Sequence, residues 1–137
     1  MTGWVWALLI VLTAGTPRQT PDLGPTAEQA RRALQSHDVG GLLGSSTRIL
    51  LQLPSVTPSA PVNRAHAAAL LTSYLNDFEE VSTEVRAATP AGERSGTVEL
   101  RRSYRVPGTT GLRIQTILLA YQFGDGHWVL TEVRISG

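Results

Sequence analysis

The 137-residue sequence contains no cysteine and no lysine, and only 6% of it is aromatic. Without cysteine no disulfide can staple the domain, and no lipid-bearing Cys follows the N-terminal apolar run. All twelve basic residues are Arg, which points to a GC-rich bacterial coding sequence more than to a recognition surface. Arg101, Arg102 and Arg105 cluster, but Glu99 adjoins them and the net charge is only +1. A nucleic-acid partner is therefore not expected, since neither overall positive charge nor aromatics interleaved with the basic residues accompany that cluster. The histidines His37, His66 and His127 are scattered and show no ligand spacing, so no metal is expected. The segment from Val39 to Gly44 lacks the Lys-Ser/Thr of a phosphate loop, no strand-turn-helix serine elbow occurs, and no cofactor is implied.

Long hydrophobic runs are also missing. The longest, from Trp4 to Leu12, falls well short of the ~20 apolar residues that cross a bilayer, and it ends in Thr13-Ala14-Gly15. Small residues at that boundary suit a signal peptidase, so residues 1–15 read as a signal peptide, although no Lys or Arg precedes the run. An uncleaved anchor and a misplaced start codon are the alternatives. Residues 16–25, rich in Pro, Thr and Gly, read as a flexible linker, leaving residues 26–137 as one domain. The expectation is an exported protein, periplasmic or extracellular, with no stable membrane insertion once the leader is cut.

What is present orders itself as alternating helix and strand patterns. Thr26 with Gln29 forms a capping box, and Ala27, Ala30, Ala33 and Leu34 recur at helical spacing up to about Ser36. Asp38 can cap a short second helix through Leu42 and Leu43, which Gly40 and Gly41 weaken by about 1 kcal/mol each. A strand over residues 48–53 ends at Pro54. A long helix is expected over residues 62–79, N-capped by Asn63, with Ala67, Leu71, Tyr74, Leu75 and Phe78 as its apolar stripe. Residues 81–88 alternate as a half-buried strand, with Val81, Thr83, Val85 and Ala87 on one side.

Residues 97–136 then form three strands separated by tight turns. Asp125-Gly126 has the composition of a type I′ turn, and a two-residue loop dictates register. It sets Phe123 against Trp128, Tyr121 against Leu130, Leu119 against Glu132 and Ile117 against Arg134, leaving Val133 and Ile135 on the opposite face. Both faces of that strand pair then look apolar. The loop at residues 106–111 leaves the other hairpin open by one residue. The pairing that gathers the larger side chains puts Val98, Leu100, Arg102 and Tyr104 with Ile117, Leu119, Tyr121 and Trp128. Thr97, Glu99, Arg101, Ser103 and Arg105 become a polar outer stripe.

This order is helix, short helix, strand, helix and four strands. With His37-Asp-Val-Gly-Gly-Leu-Leu43, Leu53-Pro54 and the closing Gly124-Asp-Gly-His-Trp-Val-Leu130, it resembles the nuclear transport factor two-like fold, and within it small secreted bacterial domains of unknown function. The resemblance implies an α+β cone: a curved antiparallel sheet wrapped around the long helix, often enclosing a pocket and often forming a homodimer through its outer face. It implies no reaction, because one fold carries many activities.

On that cone the apolar wall is Tyr74, Tyr104, Ile117, Leu119, Tyr121, Phe123, Trp128 and Leu130, with Arg102, Gln115, Glu132 and Arg134 at the end away from the turn. Candidate ligand-binding residues are thus Tyr74, Arg102, Tyr104, Gln115, Tyr121, Trp128, Glu132 and Arg134. The commoner outcome for such a set is a filled core with a rim ion pair. A binding module for a small apolar ligand or an envelope protein is one reading. The other is an isomerase- or cyclase-like enzyme with Glu132 as acid/base and Tyr104 as donor, which two Arg neighbours of Glu132 disfavour.

Overall fold

Residues 21–54 and 60–137 are described in the computed structural model. The expected leader and most of the expected linker lie outside the described residues. Among the described residues no helix is long and apolar enough to cross a membrane.

The first helix, α1 (Gly24–Gln35), starts earlier than the Thr26 capping box predicts. Pro25 sits in its first turn, where a missing N–H costs nothing, and the Gly24 N–H is taken by Asp22 Oδ1 at 2.9 Å. Leu23, assigned by composition to the linker, is only 2% exposed and belongs to the core. Gly96 makes room for it: a Cβ there would lie 2.8 Å from Leu23 Cδ2. Ala27, Ala30, Ala33 and Leu34 are buried, as their spacing predicts. Helix α2 (Val39–Leu43) is capped by Asp38, whose carboxylate accepts from Gly41 N at 3.0 Å. A Cβ on Gly41 would meet that carboxylate at 2.5 Å, so a side chain there would make the Asp38 carboxylate shift.

Strand β1 (Arg48–Gln52) is followed by a two-residue strand, β2 (Val62–Asn63), and helix α3 (Arg64–Asn76). The long helix is therefore shorter than expected at both ends. Val62 and Asn63 pair with Ile49 and Arg48, while Asn63 still caps α3 by accepting from His66 N at 2.8 Å. Phe78 and Glu79 leave the helix and lead into β3 (Glu79–Pro90). Strands β4 (Ser95–Arg105), β5 (Leu112–Gly124) and β6 (His127–Ser136) complete one sheet of six strands, in the order β2-β1-β6-β5-β4-β3. The sheet is curved, open and mixed, not wholly antiparallel, because β1 runs parallel to β6. The α+β architecture is as expected.

Pairing of β4 with β5 follows the preferred register, with Val98 opposite Leu119, Leu100 opposite Ile117 and Arg102 opposite Gln115. At the Asp125-Gly126 turn both residues take positive φ, 52° and 84°, and Phe123–Trp128 and Tyr121–Leu130 pair as the loop length dictates. Beyond them the expected register fails. A bulge makes Thr131 an extra residue, its Oγ1 donating to Ala120 O at 3.1 Å, so that Glu132 faces Ala120, Val133 faces Leu119 and Arg134 faces Leu118. Val133 and Ile135 turn inward, 0% and 4% exposed, and Glu132 and Arg134 turn outward. The bulge exchanges two apolar side chains for two charged ones, which is the energetically favourable exchange for a sheet with one buried face. The second apolar face that the unbulged register implied is consequently much reduced.

Two further bulges, at Val81 and Arg86, break the alternation expected of β3. Val81 is exposed, whereas Thr83 is buried. The core lies between the inner face of the sheet and the helices, with Leu71 and Leu75 of α3 packed in one cluster with Val98, Leu100, Ile117, Leu119 and Val133.

Candidate functional site

Register places three polar residues side by side on the inner face. Thr83 of β3 is opposite Arg102 of β4, which is opposite Gln115 of β5. They are 5%, 0% and 6% exposed, an unusual depth for such side chains. In the adjoining row Glu80 is opposite Tyr104, and the Val81 bulge is what puts Glu80 on the same face as Thr83.

Arg102 Nη2 lies 2.5 Å from Glu80 Oε1, both side chains being buried. The contact is an ion pair in which no N–H is directed at the oxygen in hydrogen-bond geometry. Nε, Nη1 and Nη2 of Arg102 are all left without a hydrogen-bond partner, as are Glu80 Oε2, Thr83 Oγ1 and Gln115 Oε1. The guanidinium is instead stacked among rings, 4.7 Å from the centroid of Tyr104 and 5.4 Å from that of Phe78. Phe78 meets Tyr104 and Tyr74 edge to face at 4.8 and 5.2 Å. Gln115 Nε2 donates to Tyr74 Oη at 2.8 Å. Burial pushes the Arg102 pKa down, with Glu80 partly opposing, and pushes the Tyr74 hydroxyl up.

His37 closes the group from the helical side. It holds a positive φ of 56°, rare for a non-glycine residue, immediately after α1, and its Nε2 is 3.1 Å from Glu80 Oε1. His37 and Glu80 also line an open cavity of about 400 Å³ together with Gln35, Ser36, Glu79, Val81 and Arg105. Glu80 therefore separates the buried guanidinium from a surface hollow.

The residues expected to form one site are divided among three places. Tyr74, Arg102, Tyr104 and Gln115 come together in the cluster just described. Tyr121 and Trp128 line a smaller hollow of about 170 Å³ at the turn end, against Ala30, Leu42 and Leu43. There Phe123 and Trp128 pack edge to face at 5.2 Å, and Trp128 Nε1 donates to Asp22 O at 3.3 Å. Glu132 and Arg134 are on the outer face, paired with each other at 2.8 Å, where Glu132 cannot serve chemistry inside the cone. His37, Phe78, Thr83 and Glu80 carry no signal in the sequence that assigns them to a site. Strict alternation sets Glu80 on the face opposite Thr83, so only the bulge could have revealed it. Among the described residues no group of three His, Asp or Glu could hold a metal ion.

No protein-family model and no curated protein matches the sequence. Solved structures do match. A DUF4783 family protein from Bacteroides ovatus superposes with a TM-score of 0.65 at 12% identity, covering 87% of this chain and 96% of that one. A ketosteroid isomerase-like protein from Erwinia carotovora atroseptica gives 0.66 at 11% identity, with 83% and 92% covered. A designed NTF2 chain gives 0.59 at 10% identity, with 82% and 95% covered. Identities this low speak to architecture alone, and on that ground the chain has the nuclear transport factor two-like fold, in company with small domains of uncharacterised family.

Proposed function

We propose that this chain is a non-enzymatic binding module that takes a small molecule on the inner face of its sheet, at the row Thr83, Arg102 and Gln115. One observation carries the reading: a fully buried guanidinium whose Nε and Nη1 have no hydrogen-bond partner and whose Nη2 meets only Glu80 Oε1. A buried polar group without a partner costs roughly 1–3 kcal/mol, and more when it is charged, so a fold gains nothing by keeping one unless a partner arrives. Binding is favoured over catalysis because the one carboxylate inside the cluster, Glu80, is held against both Arg102 and His37 through Oε1, and the residue expected as acid/base, Glu132, is on the other side of the sheet.

The test is a thermal-shift screen of a small-molecule library on wild type and Arg102→Gln, followed by turnover assays on the hits. Hits that stabilise only wild type and are recovered unchanged support the module. Chemical conversion of a hit, abolished by Glu80→Gln, would replace it with an enzyme.

Self-association through the outer face belongs to the same proposal. Leu112 and Ile114 are 56% and 49% exposed there, and Thr97, Leu118, Ala120, Glu132 and Arg134 surround a hollow of about 280 Å³. Sedimentation velocity should show a dimer that Ile114→Arg dissociates; a monomeric wild type would end that part. Export is proposed on the apolar run alone, and N-terminal sequencing of the mature protein tests it.

A further inference from the structure

We infer that the ligand is a small monocarboxylic acid carrying a hydroxyl or amino group close to its carboxylate; this rests on the binding reading above and names the chemistry it would serve. The unpartnered atoms define the complement. Arg102 offers N–H groups at Nε and Nη1, and at Nη2 beside its contact with Glu80 Oε1, a planar fork of donors and no acceptor. What matches a fork is a planar pair of acceptors, as in a carboxylate, held by two parallel charge-assisted hydrogen bonds. One strand away, Gln115 Oε1 is an acceptor without a donor, while its Nε2 donates to Tyr74 Oη. Glu80 Oε2 is a second such acceptor, and Thr83 Oγ1 can serve either role. Adjacent strands are about 4.8 Å apart, so a donor that reaches Gln115 must be attached near the carboxylate.

Charge disfavours a dianion. Arg102 and Glu80 already cancel, so a carboxylate puts one negative charge beside Glu80 where a phosphate dianion would put two. The body of the ligand is apolar or aromatic, since Phe78, Tyr104 and Tyr74 form a chain of edge-to-face rings beside the guanidinium. The hollow bordered by His37 and Glu80 stops short of Arg102, so entry from it requires the Glu80 side chain to turn aside.

Calorimetric titration of the full chain with phenyllactate, phenyllactamide, phenylpropionate and inorganic phosphate tests this. Phenyllactate should bind, with the amide weaker by about tenfold or more because a charge-assisted pair is lost, and phenylpropionate weaker by a smaller factor. Arg102→Gln should remove the preference for acid over amide. Should that variant fail to fold, Gln115→Leu serves: it should remove the preference for phenyllactate over phenylpropionate while acid binding persists. If the amide binds as well as the acid, or phosphate binds best, the ligand class is wrong although a binding module stands. If none of the four binds, the ligand class is wrong; if a high-resolution crystal structure also puts ordered water on every Arg102 N–H, the module falls with it.

Discussion

Arg101 and Arg102 are neighbours in the chain and opposites in environment. Arg101 is on the outer face of β4, in a stripe with Glu99 and Ser103, half in water. Arg102, one residue on, is wholly buried against Glu80 and two aromatic rings. The same contrast recurs on β6, where Glu132 and Arg134 pair outside while Val133 and Ile135 fill the core. The outer charges obey the usual economy of surfaces, in which a weak ion pair needs no further partner. The inner ones form a desolvated cluster with six polar atoms that make no hydrogen bond, and that asymmetry singles out the inner face as the place where this fold departs from good packing.

The sharpest way to break the comparison is to put a charge where the bulge has placed an apolar residue. Val133→Asp, at a site 0% exposed, should cost more than about 4 kcal/mol and unfold much of the population, seen by urea denaturation. Glu132→Val, its neighbour, should be tolerated; the reverse result would restore the register without a bulge. Next in size, Glu80→Ala leaves Arg102 buried with no counter-charge and should destabilise by about 3–5 kcal/mol in the same assay. Arg101→Ala should stay within about 0.5 kcal/mol.

An alkaline titration separates inner from outer more gently. Burial raises the pKa of the inner-face Tyr121 above its ordinary value of about 10, so the unfolded chain ionises first. Its contribution to stability is complete below about pH 10 and declines as pH rises toward the folded value, by up to about 1.4 kcal/mol per pH unit. Tyr74 acts in the same direction. Tyr121→Phe should flatten the decline in melting temperature above that pH. The smallest effect is expected of Arg134→Ala, which removes only a half-exposed pair and should change stability by about 0.5 kcal/mol or less.

Local chemistry made much of the fold readable in advance. Asp38 and Asn63 do cap their helices, and the Asp-Gly turn forms with the pairing its length requires. The alanine spacing of α1 and the partner strand of β4 are likewise as periodicity implies. Half of the candidate site was readable too, since Tyr74, Arg102, Tyr104 and Gln115 do meet. What failed was register carried too far. Counting by twos from the turn reaches Glu132 as an inward residue, and only Thr131, stepping out of the ladder, reverses that. Counting by twos along β3 conceals Glu80 for the same reason.

The sequence by itself therefore determined the element order, the caps, the Asp-Gly turn and the register near it, because each depends on residues a few positions apart. Tertiary structure alone decided which side of each strand faces inward beyond a bulge, since that balance is struck by burial over the whole sheet. It also decided that His37, Glu80 and Arg102, far apart in the chain, share one buried contact.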